Sequence, residues 1–121
     1  MHRFVLALVL VIPATVAVAQ ERIMAYGPTG QHVGTVIKRG NYGVHYNPDG
    51  SSTRTFISRG NVSTAYDPNG RVTGYGIRRG NVLTYYDRNG HPTGSRAAYN
   101  SDNSIARIYD RKGRYKGSVV R

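Results

Sequence analysis

Residues 66–81 read Tyr66-Asp67-Pro68-Asn69-Gly70, then Arg71-Val72-Thr73-Gly74-Tyr75-Gly76-Ile77, then Arg78-Arg79-Gly80-Asn81. The opening pentad is a turn by its chemistry. Asp bonds nearby backbone through its carboxylate, Pro fixes φ near the value of a type I turn, and Gly supplies a positive φ. That order is the mark of a hairpin closed by a type I turn and a G1 bulge. The middle has strand character, and the closing Gly-Asn reads as a second turn.

The same unit recurs on both sides. Tyr26, Tyr46, Tyr66 and Tyr86 are spaced by 20 residues, and Tyr109 follows after 23. A glycine falls four residues after every one of them, at Gly30, Gly50, Gly70, Gly90 and Gly113. A second falls eight after, at Gly34, Gly74, Gly94 and Gly117, with Arg54 as the exception. An apolar residue stands eleven after, at Ile37, Ile57, Ile77, Ala97 and Val120. The second turn recurs at 38–41, 58–61 and 78–81, and the looser 99–103 replaces it in the fourth unit. Between turns, Tyr42/Val44/Tyr46, Val62/Thr64/Tyr66 and Val82/Thr84/Tyr86 alternate with period two, as strands do, and Ile105/Arg107/Tyr109 continues the pattern. The tyrosines are expected to pack against neighbouring hairpins, and the second glycine to make room for a neighbouring ring.

No long window has helical periodicity. The expected fold is all-β: five tandem hairpins of about 20 residues, ten short strands in all. A lone hairpin is only marginally stable, whereas side-by-side units bury each other's faces. The repeat opens on the strand before a first turn and closes on the strand after one. A ring with five-fold character, in which the strands near Met24 and Val119 meet, would remove the exposed sheet edges.

These tandem Y-D-x-x-G-x-x-x-G-x-x-I units resemble the bacterial five-fold beta-flower proteins. Tyr66-Asp67, Tyr86-Asp87 and Tyr109-Asp110 fit best, while Tyr26-Gly27, Tyr46-Asn47 and Arg54 depart. The pattern is also similar to the YD repeats of large toxin-delivery shells. The resemblance implies hairpin petals around a central axis. It implies no catalytic residues and no ligand.

The chain has 121 residues, 17 Lys and Arg against 6 Asp and Glu, a formal net charge of +11 and no Cys. That length suits one domain. Without Cys there is no disulfide framework, no thiolate metal site, no thiol nucleophile and no lipidated processing cysteine. Met1-His2-Arg3, an apolar run from Phe4 to Val18 and Ala17-Val18-Ala19 read as a secretory signal peptide, cut after Ala19. The expected organisation is therefore a signal peptide, 1–19, and one β-repeat domain, 20–121, in the periplasm or secreted. No later run reaches the about 20 apolar residues of a membrane-crossing helix. Cleavage removes one base and no acid, so the remainder stays strongly basic and attracts polyanions.

Arg39, Arg59 and Arg79 share one repeat phase at the connector turns, and Lys38 and Arg78 precede two of them. A repeat that returns every 20 residues to the same rim gathers these side chains at one end. Arginine forks suit phosphate and carboxylate. An anionic envelope component, lipid or glycan, is the expected partner. The run from Arg111 to Lys116 sets a tyrosine among bases, as weak nucleic-acid surfaces do, but export makes nucleic acid a less available partner.

Catalytic, metal and cofactor sites are not expected. Asp49, Asp67, Asp87 and Asp110 fall in turns, where Asp is structural. His32, His45 and His91 stand at different repeat phases, so nothing converges them on a metal. The glycines lead into strands rather than into a helix N-terminus, so they form no phosphate loop. The leading reading is a non-enzymatic binding or structural module of the cell envelope. Two alternatives are an envelope-polymer hydrolase, which would bring His45, His91 and an Asp into hydrogen-bond reach, and a nucleic-acid binder.

Overall fold

The computed structural model describes residues 20–121, so the signal-peptide reading falls outside the described residues. The described chain is ten strands without a helix: β1 (Gln20–Tyr26), β2 (His32–Arg39), β3 (Tyr42–Tyr46), β4 (Ser52–Arg59), β5 (Val62–Tyr66), β6 (Val72–Arg79), β7 (Val82–Asp87), β8 (Pro92–Tyr99), β9 (Ile105–Tyr109) and β10 (Tyr115–Val120). Each pairs antiparallel with the next, and β1 pairs with β10 through Met24 opposite Val120 and Ala25 opposite Val119. The expected all-β ring is thus observed as a closed barrel. Every strand has a partner on both sides, so the sheet has no open edge.

Two kinds of turn alternate around the barrel. At the first, the Asp67 amide donates to the Arg71 carbonyl and the Gly70 amide to the Asp67 carbonyl, with Gly70 at φ +84°. This is the type I turn with a G1 bulge. The same bonds recur at residues 27–31, 47–51, 87–91 and 110–114. The carboxylates of Asp67, Asp87 and Asp110 each accept two backbone amides within their own turn. At the second kind only the glycine takes a positive φ, about +60° at Gly40, Gly60 and Gly80. Glycine in the first place of a two-residue loop is the II′ turn, whose twist matches that of paired strands. The longer fourth connector instead places Asn103 at φ 62°.

The interior identifies itself by what shares it. Val36, Phe56, Ala65, Leu83, Tyr99 and Val119 come from six strands and line a single cavity of about 440 Å³. Side chains alternate across a strand. Tyr42, Val44 and Tyr46, with Ile37, Ile57 and Ile77, therefore face outward. The alternating aromatic face is the barrel's exterior. Tyr26, Tyr46, Tyr66, Tyr86 and Tyr109 lie half-buried on it, with Tyr26 edge-on to His32 at 6.1 Å and Tyr109 edge-on to Tyr115 at 6.0 Å, while Tyr42 and Tyr115 are exposed.

The second glycine makes room chiefly for backbone rather than for a tyrosine ring. A Cβ on Gly34 would come within 2.9 Å of the Tyr46 carbonyl oxygen, and one on Gly74 within 2.7 Å of that of Tyr86. On Gly117 it would meet the Tyr26 carbonyl across the β1–β10 seam. At all three the glycine admits the next unit's tyrosine backbone, and at Gly34 it also admits a ring, that of His45, whose Nε2 would stand 2.5 Å from the Cβ. The register shifts at these tyrosines, between Ala25 and Tyr26, His45 and Tyr46, and Ala65 and Tyr66.

The fourth unit departs from the others. Gly94 stands at φ +89° and would meet Arg111 instead, and Val82 pairs with Ala98 where Val62 pairs with Ile77. That one-residue slip turns Ala97 inward. Ala97 and Ala106, on adjacent strands, are 2% and 1% exposed and are the fully buried apolar side chains among the described residues. The interior therefore has a dry side at β8 and β9 and an open side at the cavity. Tyr85 lies between them, its phenol pushed up to about 12, chiefly by desolvation and then by Tyr99.

Candidate functional site

Arg39, Arg59 and Arg79 close β2, β4 and β6 and are opposite Tyr42, Val62 and Val82 across the Gly-Asn turns. Alternate strands of a meander run in the same direction, so the three side chains stand on one rim. All three are exposed. They occupy one sector of that rim, on alternate strands about 10 Å apart from one to the next. Arg39 Nη2 donates to Gln20 Oε1 at 2.7 Å. Arg59 and Arg79 form no side-chain hydrogen bond or ion pair among the described residues.

Lys38 and Arg78 are one residue earlier and therefore face the interior. Lys38 lines the cavity. Arg78 is committed to the fold: its guanidinium stacks on the Tyr99 ring at 3.9 Å, Nη2 donates to Asn103 Oδ1 at 2.6 Å and Nε to the Gly80 carbonyl at 3.0 Å. Of the five basic residues singled out in the sequence, three form the rim and two do not. Strand alternation alone separates the two groups.

Across the same rim, Arg121 donates to Glu21 Oε2 at 3.1 Å and to the Asn103 and Asp102 carbonyls. The rim thus has a basic sector and a neutralised one. The opposite end, with the Asx turns, is mixed in sign, as at Arg114 and Asp110, 2.9 Å apart.

The histidines do not meet. His91 lies on an exposed turn, with Nδ1 3.7 Å from Asp87 Oδ2. The other Asp87 oxygen accepts the Asn89 and His91 amides. His45 is inside, opposite Arg54 across β3 and β4, with Nδ1 2.7 Å from Thr53 Oγ1 and its ring over Gly34. No group of three or more His, Asp or Glu side chains gathers in metal-binding range among the described residues.

Desolvation, with Arg54 second, lowers the His45 pKa below its ordinary 6.5. The unfolded chain then binds this proton at a higher pH than the folded one. Its share of stability is complete above about pH 6.5 and is lost as pH falls through the folded value. Between pH 8 and 5, the urea midpoint of the protein should fall more steeply than that of His45→Gln. Parallel profiles would remove His45 from the pH dependence. The Asp turns act at lower pH: hydrogen bonds within the turn hold Asp49, Asp87, Asp102 and Asp110 below their usual range.

Comparison of the chain with family models, with curated proteins and with solved structures finds no match. No helix among the described residues is long and apolar enough to cross a membrane.

Proposed function

We propose that this chain is an exported, non-enzymatic binding module of the bacterial cell envelope, of beta-flower type, that holds an anionic lipid or glycan on its basic rim. The observation that carries this reading is the sector of Arg39, Arg59 and Arg79. Three exposed guanidinium groups stand on one edge, and Arg59 and Arg79 lack a carboxylate partner among the described residues. Repeated forks at a regular spacing suit a surface or polymer that presents repeated phosphate or carboxylate groups.

The test is cosedimentation with phosphatidylglycerol vesicles and, separately, retention on an acidic polysaccharide, each over a salt series. Changing Arg39, Arg59 and Arg79 together to Gln should weaken binding roughly ten-fold or more at low salt and flatten the salt dependence. Binding that survives the triple change sinks the reading. A duplex DNA arm with the steeper salt slope would point to nucleic acid instead.

A further inference from the structure

The cavity inside the barrel is chemically unlike the rim. Its volume, about 440 Å³, falls in the range of small-molecule sites. Phe56, Leu83, Val36 and Val119 give it apolar walls, and Ser58 and Ser63, bonded to each other at 2.8 Å, add hydroxyls to one wall. Two cationic side chains line it, Lys38 and Arg54, and no Asp or Glu does. Lys38 is near the II′-turn end of β2, one residue before Arg39. Arg54 is near the other end of β4, opposite His45.

Arg54 is also where the repeat breaks. Gly34, Gly74 and Gly117, at the same phase, each press against a tyrosine carbonyl. The second unit alone places a long cationic side chain there, one that lines the cavity while remaining exposed. Two water-accessible cationic groups on a largely apolar wall attract an anion from solvent. Among the described residues the cavity wall supplies none.

We infer that the barrel interior binds one small amphipathic organic anion, with its apolar body against Phe56, Leu83 and Val119 and its acidic group held by Arg54 or Lys38. A volume of about 440 Å³ suits a small molecule rather than a bilayer. The site is independent of the rim, where Arg39, Arg59 and Arg79 face away from it.

The test is fluorescence titration with anilinonaphthalene sulfonate and with its neutral analogue phenylnaphthylamine. One sulfonate probe should bind per chain. Changing Lys38 and Arg54 together to Gln should weaken the sulfonate roughly ten-fold, about 1.4 kcal/mol, and leave the neutral probe within about two-fold. Ala65→Phe, which fills the cavity, should abolish binding of both. Urea unfolding of each variant verifies a native barrel, and the Gln pair alone decides the matter should Ala65→Phe not fold. The rim triple variant should bind both probes as the unaltered protein does. The inference is overturned by absence of sulfonate binding, by equal loss of both probes in the Gln pair, or by loss of probe binding in the rim variant.

Discussion

Gly117→Ala is expected to cost about 3–5 kcal/mol, a large share of the stability of an ordinary domain. Two independent penalties meet at this residue. Its φ of +144° lies where an L side chain is strained, a cost of about 1–3 kcal/mol. Its Cβ would also press on the Tyr26 carbonyl. That obstacle is backbone, which has no alternative rotamer, and overpacking of this kind costs about 1–3 kcal/mol more. The position lies beside the seam where the first and last strands meet, so the strain falls on closure itself. Gly43→Ala is the control. Its Cβ would make ordinary contact with Val36 Cγ1 at 3.4 Å, and the change should stay within about 1 kcal/mol. Urea midpoints at an unchanged m-value report both. Equal costs at the two glycines would mean that the carbonyl contact is not what fixes this position.

Ala106→Asp should be nearly as damaging, at about 3 kcal/mol or more. Ala106 is 1% exposed and opposite Tyr99, one strand from Ala97 on the dry side of the interior. A carboxylate there loses its water and has to force its way between Tyr99 and Val119, the residues opposite Ala106 on the two neighbouring strands. The same substitution at Ala65 is expected to cost only about 1 kcal/mol, because Ala65 borders the cavity that Arg54 also lines. Thermal or urea unfolding of the two variants measures the difference between the two sides of the barrel. Similar costs would mean that the interior is uniformly dry.

The turns were legible because their chemistry is local. Asp67, Pro68 and Gly70 set their own geometry, and that fixed the number of strands and their antiparallel order. Which face points inward was not legible. Tyr42, Val44 and Tyr46 form the more conspicuous apolar stripe, but their companions Gly43 and His45 face the interior. Barrel closure makes that choice, and it depends on all ten strands at once. Ten short strands enclose too little room for every tyrosine, and small residues take much of the inner face. The slip in the fourth unit was hidden as well, since Gly94 keeps the repeat spacing while adopting a conformation that Gly34 and Gly74 do not. For the candidate site, repeat phase placed Arg39, Arg59 and Arg79 on one rim. Alternation could also have sent Lys38 and Arg78 inward. The interior cavity had one signal, the arginine at position 54 where its sister units carry glycine.

Ring closure has a consequence for how such a chain can lengthen. An open array grows by duplicating a unit at either tip, at little cost to the rest. A closed circumference has no tip. An inserted hairpin must enlarge the bore and respace every neighbour, so inheritance favours altering single residues within a fixed number of modules.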